Sequence, residues 1–575
     1  MPAHPRLYWQ TRATSNASSE ALRQALGLPP LLATVLAARG WQPGAAVDAF
    51  LAEAEEAEPD YTALPGMALA VARLREAILA EESITVCGDY DIDGITATAL
   101  LLQALRQHGA RVDYHLPQRN TDGYGLTTAA LDALAAAGSQ VLVTVDSGTT
   151  ALEELAHARA LGLAVIVTDH HLPGPRLPPA VAIVNPHLAD APGVLAPLSG
   201  VGLAYALARA LDAAHPVDGA DARDLQDLVV LGTLSDQAPL SQENRRLVKL
   251  GLERIRRAPR PGIAALARVA KCNLKQRYIA EQLSQRVIPR LNAAGRMAHP
   301  RLALELLLNE DEASSSEMAQ HLERLNHERR TLSLVIESEV QALISLNELP
   351  RGPAVVLHNA HWHHGVLGIV ASRVAGRENR PTLLLAPENG GTWRGSGRSP
   401  AHFDLHAALS RVQQHVVRFG GHGQAVGVSV READMAAFVT ALQAEVQAMM
   451  GDAAYAPKVW KVDAEVPLGW LSYETVAELD RLEPTGPENP APLFVARHLR
   501  VVRQERRGPE NEHLWLELAD DTGTLPAIAF GRGGQYPLET PHLDAVFVPL
   551  AERWQGRNRL TLKILDLCPS PNQAG

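Results

Sequence analysis

Cysteine is scarce: the 575 residues contain three, Cys87, Cys272 and Cys568, and none form a CxxC pair. That argues against a disulfide framework or a thiolate-held structural zinc and suits a reducing compartment. Long apolar runs are missing as well. No uninterrupted stretch approaches the ~20 residues a membrane span requires, and the opening MPAHPRLYWQTRATSNASSE has no apolar core of the secretory type. The expectation is a soluble, cytoplasmic protein with no membrane partner. There is no low-complexity tract and no short internal repeat.

Positive charge is also in short supply. A net charge of −11 speaks against a nucleic-acid partner, because polyanion binding relies on Lys and Arg displacing counterions. The distribution reverses that impression: fourteen Lys and Arg stand against three Glu between Ser241 and Pro300, while acids collect in LAEAEEAEPD, Leu51 to Asp60. A basic run of this kind is a solvated helix face or an anion-binding surface. The length and a 46% hydrophobic content allow about three or four domains.

What the chain does have is acid in unusual places. SITVCGDYDIDGITATALLLQAL sets Asp89, Asp91 and Asp93 ahead of a glycine, as a calcium loop of the EF-hand type does, but the position that needs a bidentate Glu holds Leu100. The preceding SITVC is a strand-like apolar run and the following residues are helical, so these carboxylates sit on a strand-to-helix turn. Further runs, RVDYHLP, QVLVTVDSG, LAVIVTDHH and VAIVNP, alternate with helical stretches, the pattern of a doubly wound parallel sheet. Asp146 ends one run, and Asp169, His170 and His171 end another. Asp236 follows the apolar helix LQDLVVLGTLSD. The carboxyl ends of strands form the ligand crevice in such sheets, which lets these residues converge.

Downstream, Met318, Leu322, Leu325 and Leu332 are spaced for one face of a long connecting helix. A second α/β unit follows, with glycine-rich loops NGGTWRGSGRSP and RFGGHGQAVG, and then five short strands suited to a small β-barrel of the OB type. The expected order is an N-terminal helical cap over 1–60, a catalytic α/β domain over 61–310, the helix over 311–349, the second α/β domain over 350–450 and the barrel over 451–575. Asp and His without thiolate suit two divalent cations such as Mg²⁺ or Mn²⁺ rather than zinc, and such pairs serve in-line attack on phosphate esters.

GDYDIDG, VTVDSG, VTDHH and LGTLSDQAPL resemble the four successive motifs of the DHH phosphoesterase superfamily, and FGGHGQAVG is similar to the glycine-glycine-histidine motif of its second, DHHA1-like domain. NTDGYGLT, LSGVGLAYAL, IPRLNAAGRM, WHHGVLGIVASR and GSGRS narrow the resemblance to the RecJ family of bacterial single-strand-specific exonucleases, over about Leu28 to Leu567. The resemblance implies a 5′→3′ exonuclease on single-stranded DNA that releases mononucleotides in repair and recombination. A helicase and a single-strand-binding protein are implied as partners, and a monomer is expected. It makes Asp91, Asp93, Asp146, His170 and Asp236 metal ligands, and gives Asp89 and His171 either ligation or transition-state support. Two departures occur, Ser147 where Asn is usual and Gln237 where an apolar residue is usual; neither removes a ligand. Arg290, Asn292, Arg296, Arg373, Ser396, Arg398 and His422 become candidates to hold the strand. In the barrel, Trp515, Phe530 and Trp554 are candidates to stack on bases, although strand alternation makes core burial the default for at least two of them. Two other readings stand beside this one: a DHH hydrolase of short oligonucleotides or cyclic dinucleotides, and a DNA-binding scaffold without catalysis.

Overall fold

The strand-like runs of the first half build one five-stranded, wholly parallel sheet. The computed structural model describes residues 9–13, 15–52, 58–119, 125–276, 279–345, 352–388, 390–451, 459–554 and 557–570. Across the sheet the strands run Arg111–His115, Ser83–Cys87, Val141–Val145, Ala164–Thr168, Ala182–Val184. Numbered along the chain this is 2-1-3-4-5, the doubly wound order whose direction of winding reverses between the first and third strands. Val141–Val145 is buried along its whole length, as a strand covered on both faces must be. The crevice at the reversal opens between the ends of Ser83–Cys87 and Val141–Val145, where Asp89 and Asp146 follow.

Two compact units account for the chain. One gathers the described residues of Glu58–Ala238 and Leu250–Lys458; the other those of Met1–Ala57, Pro239–Lys249 and Val459–Gly575. In the first, helix Ile92–Gln107 is buried almost all round and packs against helices Gly200–Ala214 and Gln226–Asp236. The long helix Glu312–Ser345 leads to a second sheet, ordered Arg418–His422, Ala425–Arg431, Thr392–Arg398, Thr382–Glu388, Val355–His358. All its pairings are antiparallel except the last, Val355–His358 with Thr382–Glu388.

In the other unit the five C-terminal strands close into a barrel. Phe494–Arg507 pairs with His513–Ala519 on one side and with His542–Trp554 on the other, while Thr524–Ala529 and Arg557–Pro569 complete the ring. Alternation turns Leu514, Leu516 and Leu518 inward. The N-terminal helices Asn16–Leu26 and Pro30–Ala38 share the barrel's core: Leu22, Leu31, Leu32 and Leu36 pack in one cluster with Phe494, Leu516 and Phe547. Arg39, at the end of the second helix, pairs with Asp463 at 3.0 Å and donates to Asn489 at 3.1 Å.

Candidate active site

Each acidic residue of the crevice is fixed by the element that carries it. Asp91 caps helix Ile92–Gln107, accepting from the Gly94 N–H at 3.1 Å. Asp93, in the first turn of that helix, accepts from the N–H groups of Gly200 at 2.7 Å and Val201 at 2.9 Å. Those are donors that the first turn of helix Gly200–Ala214 would otherwise leave unsatisfied. Asp146 takes up a left-handed backbone conformation, φ 58°, directly after its strand, a strained geometry that aims its side chain into the crevice. His170 Nε2 lies 3.0 Å from Asp146 Oδ1 and 3.9 Å from both Asp93 Oδ2 and Asp236 Oδ2. Asp236 is the last residue of helix Gln226–Asp236, and Gln237 closes that helix with φ 58°.

Asp146 and Asp93 pack so closely against neighbouring helices that a Cβ would not fit beside either. An alanine at 200 would put its Cβ 2.6 Å from Asp146 Cβ, and one at 232 would meet Asp93 Oδ1 at 2.6 Å. Burial and the charge of Asp91 push the Asp89 carboxyl well above its ordinary range. Burial with Asp236 and Asp91 does the same to Asp93, and burial with Asp93 and Asp91 to Asp146. Burial also raises Asp236, against the opposing pull of His170, and lowers His170. Asp89 Oδ1 has no hydrogen-bond partner among the described residues. Acid groups this close and this dry need a cation. Two overlapping triads, Asp146–His170–His171 and Asp93–His170–Asp236, each place three donor atoms within 4.8 Å of one another. Oxygen and imidazole donors without thiolate fit a hard or borderline divalent ion.

Asp169, which the motif reading left without a role, proves to be the support of His171. It accepts from His171 Nδ1 at 2.7 Å and from the N–H groups of His171 at 3.1 Å and Thr149 at 2.9 Å. Burial would lower the His171 pKa, yet the hydrogen bond and charge of Asp169 prevail and push it up to about 9. Burial likewise opposes ionisation of Asp169, and the bonds from His171 outweigh it and lower its pKa. Asn185 extends this support, donating to Thr149 Oγ1 at 3.0 Å and to the His171 carbonyl at 2.9 Å.

The second sheet supplies the facing wall. Ser396 and Arg398 end strand Thr392–Arg398, with Arg398 donating to Ser396 Oγ at 3.2 Å, and His422 ends strand Arg418–His422. His422 feels the charges of Arg398, His171 and Asp236. Withdrawal from solvent, then the nearby Arg119, Arg329 and Arg398, push the Arg296 pKa down to about 9; burial and Arg119 lower that of Arg398. No carboxylate among the described residues pairs with Arg119, Arg296 or Arg398; Arg119 lies over the Tyr90 ring at 5.1 Å and Arg296 donates to the Gly365 carbonyl at 3.3 Å. Sequence reasoning missed Arg119 and Tyr90, since nothing in LPQRN or GDY signals a shared pocket.

Other strand-holding candidates are engaged elsewhere. Arg290 pairs with Glu323, Asn292 donates to Ser235 Oγ at 3.1 Å beside Asp236, and Arg373 pairs with Glu337 at 2.9 Å. On the barrel, Trp515 is half-buried beneath Arg507, whose guanidinium carbon is 4.3 Å from the ring, and Phe530 is 53% exposed, so neither belongs to the barrel's core cluster. Tyr536 was not foreseen; Arg506 covers it at 5.2 Å. The Trp554 side chain, and residues 120–124 of the NTDGYGLT motif, lie outside the described residues.

Comparison with known proteins agrees with this layout. The DHH family, N-terminal domain, matches residues 83–233, the DHHA1 domain matches 351–448, and the RecJ OB domain matches 462–566. The single-stranded-DNA-specific exonuclease RecJ of Escherichia coli is 35% identical over 529 residues, covering 88% of this chain and 89% of that one; the Bacillus subtilis protein of the same name is 31% identical over 568 residues, covering 98% and 71%. The chain belongs to the RecJ family. A crystal structure of RecJ in complex with Mn²⁺ from Thermus thermophilus superposes with a TM-score of 0.80 at 31% identity, covering 98% of this chain and 80% of that one. A Mg²⁺ complex from the same organism gives 0.75 at 29% identity, covering 97% and 78%.

Proposed function

We propose that this chain is a single-strand-specific 5′→3′ exodeoxyribonuclease. It hydrolyses phosphodiester bonds at a centre of two divalent cations, Mn²⁺ or Mg²⁺, and releases mononucleotides in DNA repair and recombination. The observation that carries the reading is the meeting of two walls of opposite charge: overlapping triads with Asp93 and Asp146 buried and Asp236 at the open side, and arginines without carboxylate partners among the described residues facing them. Asp91, Asp93, Asp146, His170 and Asp236 hold the cations, with Asp89 beside them. Bound there, divalent ions lower the pKa of a coordinated water and neutralise charge on phosphoryl oxygens.

The chain's own groups do the rest. Arg119, Arg296 and Arg398, with Ser396 Oγ, grip phosphate oxygens of the strand, for which the planar guanidinium is geometrically suited. Because Asp169 holds His171 Nδ1, His171 turns its Nε2–H to the crevice as a donor to charge developing in the transition state. His422 closes the crevice from the second sheet. The barrel, through Trp515 and Phe530, stacks bases of single-stranded DNA. Arg290 and Asn292 brace the crevice wall rather than touch DNA, as their bonds to Glu323 and Ser235 favour, and Arg373 likewise pairs with Glu337.

The alternative readings are not favoured, because the relatives that match most of the chain are named exonucleases and the acidic set that a scaffold would not need is complete. No helix among the described residues is long and apolar enough to cross a membrane. We place the enzyme in the cytoplasm as a monomer, supplied with single strands by a helicase and a single-strand-binding protein. The test uses strands labelled at either end with Mn²⁺ present. Asp93→Ala should lose a thousandfold or more in rate, since charge stabilisation of this kind is worth several kcal/mol. Near-normal hydrolysis by that variant, or release of label from the 3′ end first, would overturn the assignment.

A further inference from the structure

The basic segment noted in the sequence is not one continuous surface: Arg296 joins the crevice wall, while many of its other cations are paired internally. Arg245 donates to the carbonyls of Leu482 at 3.1 Å and Pro484 at 3.0 Å. Arg246 pairs with Glu243 at 2.6 Å, Arg254 with Asp224 at 3.0 Å, Arg260 with Asp227 at 2.7 Å and Arg290 with Glu323. Arg268 and Lys275, with the already paired Arg256 and Arg257, line a cavity of about 500 Å³. Arg256 and Arg257 share one carboxylate, Glu253, at 3.4 and 2.7 Å. Arg268 and Lys275 pair with no carboxylate among the described residues, and Glu312 is the single acid of the lining.

The cavity is remote from the chemistry. Arg260, flanked by the lining residues Pro259 and Pro261, bonds to Asp227 and to Gln103 at 3.1 Å. Asp227 and Asp236 stand at opposite ends of one helix, as Gln103 and Asp93 do of another; at 1.5 Å per residue both separations are about 13–15 Å. A group held there cannot be the scissile phosphate.

We propose that this cavity is a second binding site, for a nucleoside 5′-phosphate. The volume lies in the range of small-molecule sites, and such sites combine apolar walls with a few convergent charges. Pro261, Ala264, Ala267 and Leu274 give the base and sugar an apolar wall. Arg268 and Lys275 take the phosphate. Glu312, on the lining, can accept from a sugar hydroxyl or a base amino group. The ligand class rests on the exonuclease reading, whose product is a mononucleotide; the anion site itself does not.

Calorimetric titration of the Mn²⁺-loaded full chain decides it, with deoxyadenosine monophosphate, with inorganic phosphate and with a short single strand as separate probes. The expected result is two mononucleotide equivalents for the wild type, and loss of one, weakened at least tenfold, in Arg268→Glu/Lys275→Glu. The milder Arg268→Gln/Lys275→Gln guards against misfolding and should weaken the same site. Arg398→Ala should leave that equivalent intact. Unchanged mononucleotide binding in both double variants overturns the proposal. So does a loss confined to the single strand, which would make the cavity part of the DNA track. Retained phosphate binding without hydrolysis of any strand would instead sink the exonuclease reading and leave the anion site standing.

Discussion

Gly200→Ala tests whether the carboxylate geometry, and not merely the presence of the carboxylates, supports catalysis. The added Cβ would stand 2.6 Å from Asp146 Cβ and 2.8 Å from its Cγ and Oδ1. Carbon contacts are comfortable near 3.5–4.0 Å, so something must move by about 1 Å. Asp146 cannot easily give, because its left-handed backbone is fixed between the strand end and Gly148. If helix Gly200–Ala214 retreats instead, Asp93 loses the donors at 2.7 and 2.9 Å that orient it. Either way one proposed ligand is displaced. Alanine improves helix propensity by at most about 1 kcal/mol, whereas overpacking costs about 1–3 kcal/mol, so stability should fall slightly. A displacement of about 1 Å at a reacting centre is worth about a hundredfold, or some 2.7 kcal/mol of barrier. The assay is kcat/KM on a labelled single strand together with Mn²⁺ affinity by calorimetry. Gly376→Ala is the control: its Cβ would meet nothing within 4 Å, so it should stabilise the helix by up to about 1 kcal/mol and leave both readouts alone. Wild-type turnover and metal affinity in Gly200→Ala would refute the reasoning.

Metal removal should expose the repulsion among the buried carboxylates. Their folded-state pKa values are raised, so the stability linked to protonation is present at low pH and lost as pH rises through those values. The melting temperature of chelated protein should therefore drop from pH 6 to pH 8 while the gap to Mn²⁺-loaded protein widens, and Asp146→Asn should shrink both effects; a gap independent of pH would contradict this. Asp169→Asn should bring the His171 pKa down from about 9, so the alkaline limb of the rate profile moves to lower pH with the strand KM little changed. An unmoved limb would mean that His171 does not act as a proton-bearing donor. Arg398→Ala should flatten the log–log salt dependence of strand binding by about 0.7. Trp515→Ala should weaken binding about fivefold or more through lost stacking with the slope unchanged, and the reverse pattern in the two variants would exchange their roles.

The crevice was legible because parallel sheets put their ligands in a fixed place: once Asp89, Asp146 and His170 are read as strand ends, topology alone brings them together. The pairing of the basic segment was not, since whether Arg260 meets Asp227 or a phosphate depends on partners 33 residues away in sequence. Asp169 escaped for a related reason. It stands in the same DHH triplet as His170 and His171, and the residue spacing does not say which of the three faces inward to orient its neighbours. Arg119 shows a further blind spot. A lone arginine after a strand carries no signal until its lack of a carboxylate can be seen, and that is a statement about three dimensions.

Domain boundaries are drawn along the chain, but cores are not. Ending the chain near Met450 looks like a clean way to ask what the barrel does, yet the barrel's core includes Leu22, Leu31, Leu32 and Leu36 from the N-terminal helices. Burying each such side chain is worth about 1.5–3 kcal/mol, so their exposure would remove about 6 kcal/mol or more, comparable to the whole stability of an ordinary domain. Such a truncate would carry two helices with nothing to pack on, and any fall in activity would report aggregation as readily as lost strand binding. The barrel's contribution has to be read from its surface instead. Trp515, lying under Arg507 with its strand neighbours Leu514 and Leu516 turned inward, can be changed without opening that core, and a loss of long-strand affinity there would belong to the stacking face alone.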